Sequence, residues 1–163
     1  MFKTLGQTKI KDDQLLTLIG SVGSLVNGLS RIFWSTLLDF FTFNQVYRVL
    51  LAIQLLMILT LQWSLDTAVG LYFANVCISM MCEGAITSIL PTETLNHFGQ
   101  IRGQEVYSFM FSSFGVSAIF GSLLVGLLQY EIGFQGMLSI CFAFTVVSVL
   151  LTFVYKSQEK FDY

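Results

Sequence analysis

Charge is the first thing this chain has little of. Only 11% of its 163 residues are Asp, Glu, Lys or Arg, against about 25% in an ordinary soluble domain. Proline and histidine occur once each. With 16 phenylalanines in the same chain, the near absence of proline argues against a disordered segment. The net charge of −2 is too small to point to nucleic acid or to a strongly charged partner. Three cysteines, Cys77, Cys82 and Cys141, lie inside apolar runs without paired spacing, so neither a disulfide framework nor a zinc site is expected. No HExxH, GxSxG or Gly-rich phosphate loop is present, and His97 has no second imidazole to join it. Catalytic and metal chemistry therefore lack their usual side chains. The expectation is a non-enzyme without cofactor. The N-terminal residues also lack a secretory signal, because the apolar run that follows them is too long for one.

Apolar residues fill the space that charge leaves. They make up 55% of the chain, and the mean hydropathy is +0.74. A chain this short cannot bury that much apolar surface against itself, so lipid must be its solvent over much of its length. Five stretches approach the roughly 20 residues that a spanning helix needs: 15–38, 46–63, 68–90, 107–128 and 134–155. The runs are continuous rather than alternating, which excludes a β-barrel. Residues 1–14 read as an external loop segment, 15–155 as the membrane bundle, and 156–163 as a cytoplasmic tail. Breaks are expected at Ser64–Thr67, at Gln129–Gly133 and, longest, from Pro91 to Glu105, where Pro91, Gly99 and Gly103 cluster. Short connections make sequence neighbours antiparallel. Trp34, Tyr47, Trp63, Tyr107, Tyr130 and Tyr155 fall near the expected water boundaries, as interfacial belts do, although Trp34 and Tyr72 also suit ordinary packing. Small residues four apart, Gly20, Ser24 and Gly28, then Ser113, Ser117 and Gly121, offer close-packing faces.

Sidedness follows from Lys and Arg in short loops. Arg48, Arg102, Lys156 and Lys160 put the C-terminus in the cytoplasm. Five crossings then place the N-terminus outside, against the preference of Lys3, Lys9 and Lys11. A helix upstream of this chain would resolve that conflict; an inverted five-helix protein is the alternative.

Ionisable groups inside a span cost about 2.5–3.5 kcal/mol each at the centre, so they usually serve a purpose. Arg31 lies about 24 Å along the first span and Glu83 about 22 Å along the third, at 1.5 Å per residue. The two spans run in the same direction, so both groups fall at similar depth. Asn27 is one turn from Arg31 on the same face. Arg31 has three roles open to it. It can bind an anionic substrate, since a guanidinium matches a carboxylate in a bidentate fork. It can pair with Glu83, or it can reach for the cytoplasmic interface. Glu83 can also carry a proton if burial raises its pKa. Asp39 reads as a solvated cap and His97 as a surface residue.

Asn27-Gly28-Leu29-Ser30-Arg31-Ile32-Phe33-Trp34, followed by Ser35 and Asp39, resembles the eighth helix of major facilitator superfamily transporters, in the oxalate/formate antiporter and monocarboxylate transporter branch. Cys82-Glu83-Gly84 with Leu90-Pro91-Thr92 resembles the tenth helix of that branch. His97-Phe98-Gly99 and Tyr107-Ser108-Phe109 continue into an eleventh-helix pattern, and Gly121 with Gly133-Phe134 fits the passage to the twelfth. The resemblance covers about residues 2–155. It implies an all-α membrane bundle, the C-terminal half of the fold without its first helix, whose partners are the lipid bilayer, a missing N-terminal half and a transported small organic anion, with proton coupling an open possibility. It further implies that Arg31 holds a substrate carboxylate. Asn27 stands where monocarboxylate transporters carry an acidic residue, which puts proton coupling at that position in doubt. The eleventh-helix lysine of oxalate transporters has no counterpart in 107–128, which favours a monocarboxylate over oxalate. In the loop motif after the eighth helix, Ser35 replaces glycine, Asp39 is kept, and Phe40-Phe41-Thr42-Phe43 replaces the basic part. A truncated, non-transporting membrane protein that binds or regulates a partner is the alternative function.

Overall fold

The computed structural model describes residues 2–155; the expected tail, with Lys156 and Lys160, lies outside them. The described residues form helices only: α1 Phe2–Gly6, α2 Asp13–Phe40, α3 Phe43–Thr67 and α4 Val69–Val154. Asp12 starts α2, its carboxylate accepting from the backbone N–H groups of Gln14 and Leu15 at 3.0 and 3.2 Å. These are two of the donors that a helix N-terminus leaves without partners. Phe41 is extended and ends α2. Thr42 then opens α3, with its N–H bonded to the Gln45 side chain at 3.2 Å. Ala68, also extended, separates α3 from α4.

Among the described residues four helices are long and apolar enough to cross a membrane, Asp13–Phe40, Phe43–Thr67, Val69–Leu128 and Glu131–Val154, where five were expected; the third of them is broken at Gly99. The third and fourth expected stretches share one helical run. The expected loop from Pro91 to Glu105 is helical except at Gly99, with φ 77°. Pro91 itself is tolerated inside the helix, and the Thr94 hydroxyl donates to the Leu90 and Pro91 carbonyls at 3.1 and 2.9 Å. Side-chain hydroxyls commonly accompany proline in membrane helices in this way. At Gly99 the chain doubles back: a Cβ on Gly103 would lie 2.8 Å from the Thr94 carbonyl oxygen and 2.9 Å from Leu95 Cα, a closeness that nine residues of straight helix cannot give. Gly133, φ 63°, breaks the run again. Both positive φ values suit glycine and strain other residues.

Segment 69–98 of α4 is the centre of the bundle. At one end Leu16 and Ile19 of α2, Leu65 of α3 and Tyr72 and Val76 of α4 form one buried cluster. At the other, Trp34 and Leu38 meet Phe43, Val46, Leu50, Cys82, Ala85 and Ile89. The order of these contacts makes α2 and 69–98 parallel and α3 antiparallel to both. The sequence neighbours α2 and α3 are antiparallel as expected, with α4 packed against each of them. Two asparagines fasten the centre to its flanks. Asn27 Nδ2 donates to the Met80 carbonyl at 2.9 Å. On the other side, Asn75 Nδ2 donates to Thr60 Oγ1 at 2.8 Å and to the Met57 carbonyl at 3.3 Å. Without a hydrophobic drive between helices in lipid, such bonds and close packing supply much of the association.

The packing faces differ from those expected. A Cβ on Gly28 would meet nothing within 4 Å, nor would one on Gly121, and Ser24, Ser113 and Ser117 are exposed. The close approach belongs to Gly23, against Met80, and to Gly84, against Asn27 and Ser30. Trp34 is 2% exposed and Tyr72 fully buried, so both serve packing rather than a belt. The N-terminal segment is more than a loop. Leu5 and Ile10 bury in the first cluster, while Lys3 pairs with Asp13 and Lys9 with Asp66, each at 3.0 Å. Two of the three lysines that opposed an outside N-terminus are thus locally neutralised.

Candidate functional site

Gly84 fixes how α2 sits on α4. Its lack of a side chain lets the Asn27 carbonyl and the Ser30 hydroxyl approach its backbone. Ser30 Oγ bonds to the Asn27 carbonyl at 2.8 Å and to the Met81 carbonyl at 3.1 Å. Residues 27–31 therefore lie level with 80–84, and Arg31 and Glu83 share a depth, as the helical rise predicted.

They do not share a side. Arg31 Nη2 donates to Asn27 Oδ1 at 3.3 Å, and among the described residues it forms no ion pair. The Asn27 side chain is held at both ends, its amide by the Met80 carbonyl and its oxygen by the guanidinium. Arg31 is exposed, and among the described residues its other donors make no hydrogen bond. Glu83 instead lines a cavity bounded by α3, by 69–98 and by the last segment of α4. The Arg31–Glu83 pair considered from the sequence is not formed. Ser35 donates to the Ile32 carbonyl at 3.0 Å, and Asp39 is exposed in the last turn of α2. The two residues mark that end of α2 without joining the Arg31 group.

A second polar cluster escaped the sequence reading. Tyr155 donates its hydroxyl to Glu93 Oε1 at 3.0 Å, and its carbonyl accepts from Asn44 Nδ2 at 2.8 Å. Its ring lies 6.3 Å from that of His97, which is half-buried rather than a surface residue. Nearby, Arg48 donates to the Thr152 carbonyl at 3.1 Å and stacks 4.3 Å from the Phe153 ring centroid. The bonds link residues 44, 93 and 155, far apart in sequence, so no local pattern could announce them. Burial, then the Glu93 carboxylate beside it, pushes the Tyr155 phenol from 10 to about 12. A raised acid pKa means that the folded state holds the proton more tightly. The resulting stabilisation is complete below pH 10 and is lost as pH rises through about 12. In a difference absorbance titration of wild type against Tyr155→Phe, the missing phenol should ionise near 12. Glu93→Gln should bring it only part of the way back, because burial is the larger cause. A phenol titrating at 10 in the wild type would show that the cluster is not formed.

The fold and its apolar helices define a multi-pass membrane bundle. The family model of the Major Facilitator Superfamily matches residues 4–162, and the chain belongs to that superfamily, a family of transporters rather than enzymes. No curated protein and no solved structure gives a match.

Proposed function

We propose that the chain serves secondary transport of a small organic anion, a monocarboxylate before others, by rocking against a second helical bundle around a midplane site. The observation that carries this reading is Arg31. A guanidinium within a spanning helix is costly unless it meets an anion or reaches water. Here Asn27 aims it, no carboxylate of the described residues neutralises it, and its remaining donors are open. A carboxylate fits that fork with two parallel hydrogen bonds. A dicarboxylate would bring a second charge, and among the described residues 107–128 supply no cation to meet it. Ser35 and Asp39, at the end of α2, belong on this reading to the loop whose contacts change as the halves rock. Residues 1–14 lie on the outer side and 156–163 in the cytoplasm. Asn27 is an amide that does not titrate, so a coupled proton would have to bind elsewhere.

The test is equilibrium binding of labelled lactate to the chain in lipid nanodiscs, followed by uptake once a completing bundle is supplied. Charge-assisted hydrogen bonds contribute about 1.5–3 kcal/mol, so Arg31→Ala should weaken lactate binding about 10–100-fold. Asn27→Ala should weaken it less, since it disorders the guanidinium without removing it. Unchanged lactate binding in Arg31→Ala would overturn the carboxylate role.

A further inference from the structure

The cavity that Glu83 lines has a volume of about 560 Å³, within the roughly 300–1,000 Å³ of small-molecule sites. None of its lining residues comes from α2, so it lies apart from Arg31 and Asn27. Most of the wall is apolar, with Leu50, Met57, Leu61, Val76 and Phe134 along it. Its polar groups come from three directions: Tyr47 and Gln54 on α3, Ser79 and Glu83 one turn apart on 69–98, and Thr145 and Ser148 on the last segment of α4.

Several of these groups present acceptors. Thr145 spends its hydroxyl proton on the Cys141 carbonyl at 2.8 Å, and Ser148 on the Phe144 carbonyl at 3.0 Å. Both therefore turn lone pairs, not protons, towards a ligand. Gln54 Oε1 is buried with no hydrogen-bond partner. Buried polar atoms are nearly always satisfied, and an orphan calls for an explanation. Glu83 forms no ion pair among the described residues, and no lining residue is a cation. A carboxylate and an orphaned carbonyl at bilayer depth need a donor or a positive charge to offset their cost.

We propose that this cavity is a second binding site, for an amphipathic amine. The ammonium donates to Glu83 and to Gln54 Oε1, with the Thr145 and Ser148 oxygens within the same cavity. The hydrocarbon body lies along Leu50, Met57 and Val76. An ammonium carries three donors and no acceptor, which suits the acceptors of Glu83, Gln54, Thr145 and Ser148. A carboxylate ligand is repelled there, so the site selects the opposite charge from the one proposed for Arg31.

Three ligands with one hydrocarbon tail and different heads test this: octylamine, octanol and octanoate. They are added to the full chain in nanodiscs of zwitterionic phosphatidylcholine, with empty nanodiscs as the blank, and binding is read by saturation-transfer NMR. Octylamine should bind at least about tenfold more tightly than octanol, since a hydrogen bond to a charged group contributes about 1.5–3 kcal/mol, and octanoate should bind weakest. Glu83→Gln should erase the preference for amine over alcohol while octanol binding persists, and persistent octanol binding shows that the cavity is still folded. Gln54→Leu should reduce amine binding more than alcohol binding. Equal binding of octylamine and octanol by the wild type would overturn the proposal, as would an amine preference that survives Glu83→Gln. Lactate binding at Arg31 is a separate readout, so failure of either site is distinguishable from failure of the other.

Discussion

Replacing Gly84 with valine should be among the most damaging single changes in this chain. An added Cβ would collide with the Asn27 carbonyl oxygen and lie 2.5 Å from Ser30 Oγ. The first obstacle is backbone, so no rotamer change can move it aside. The helices must separate, and with that go the Asn27–Met80 and Ser30–Met81 bonds. Overpacking costs about 1–3 kcal/mol, and interhelical hydrogen bonds in membranes add about 0.6 kcal/mol each. The sum is about 2–4 kcal/mol. Gly28→Val is the control, because nothing lies within 4 Å of a Cβ there, and valine is no worse a helix former than glycine, so the change should be close to neutral. The measurement is the thermal midpoint in detergent, followed by intrinsic fluorescence. Equal midpoints for the two variants would mean that α2 does not pack on Gly84.

Trp34→Ala should come close behind. Trp34 is 2% exposed within the cluster formed with Leu38, Cys82, Ala85 and Ile89. In a bilayer part of the usual transfer penalty disappears, because lipid is as apolar as the core. The void remains, and large-to-small changes of aromatic residues cost about 3–5 kcal/mol in soluble cores, so about 2–3 kcal/mol is expected here. Trp34→Phe should cost much less. The indole Nε1 is buried without a partner, and removing an unsatisfied donor recovers part of the lost packing. Refolding from denaturant into micelles would separate the two. Alanine and phenylalanine variants of equal stability would show that Trp34 fills no core.

Much of the candidate site could be read from the sequence because it is local. Arg31 and Asn27 are four residues apart on one helix, and the expected neighbourhood is found. The shared depth of Arg31 and Glu83 also followed from helical rise alone. The side on which Glu83 lies did not. That depends on the rotation of α4 about its axis, which the fit of Gly84 against Asn27 and Ser30 sets. In a soluble helix the apolar stripe would reveal the rotation. In lipid both faces are apolar, and that signal is lost. The same loss explains why Ser24 and Gly28 looked like part of a packing stripe while Gly23 and Gly84 make the approach. Gly99 and Gly133 were correctly placed as breaks, because positive φ has a residue preference. Pro91 misled, because a helix shielded from water can continue through proline.

Asn27 also ties mechanics to chemistry. Its amide end grips α4 through the Met80 carbonyl, and its other end aims Arg31. A slide of α2 along α4 by two residues is about 3 Å, enough to stretch a bond of 2.9 Å beyond useful length. The amide would then let go of one helix, and the guanidinium would lose its rest. On the proposed reading, shear between two helices is thereby converted into a change of direction at a single cation, so a small relative movement loosens the hold on an anion without any titration.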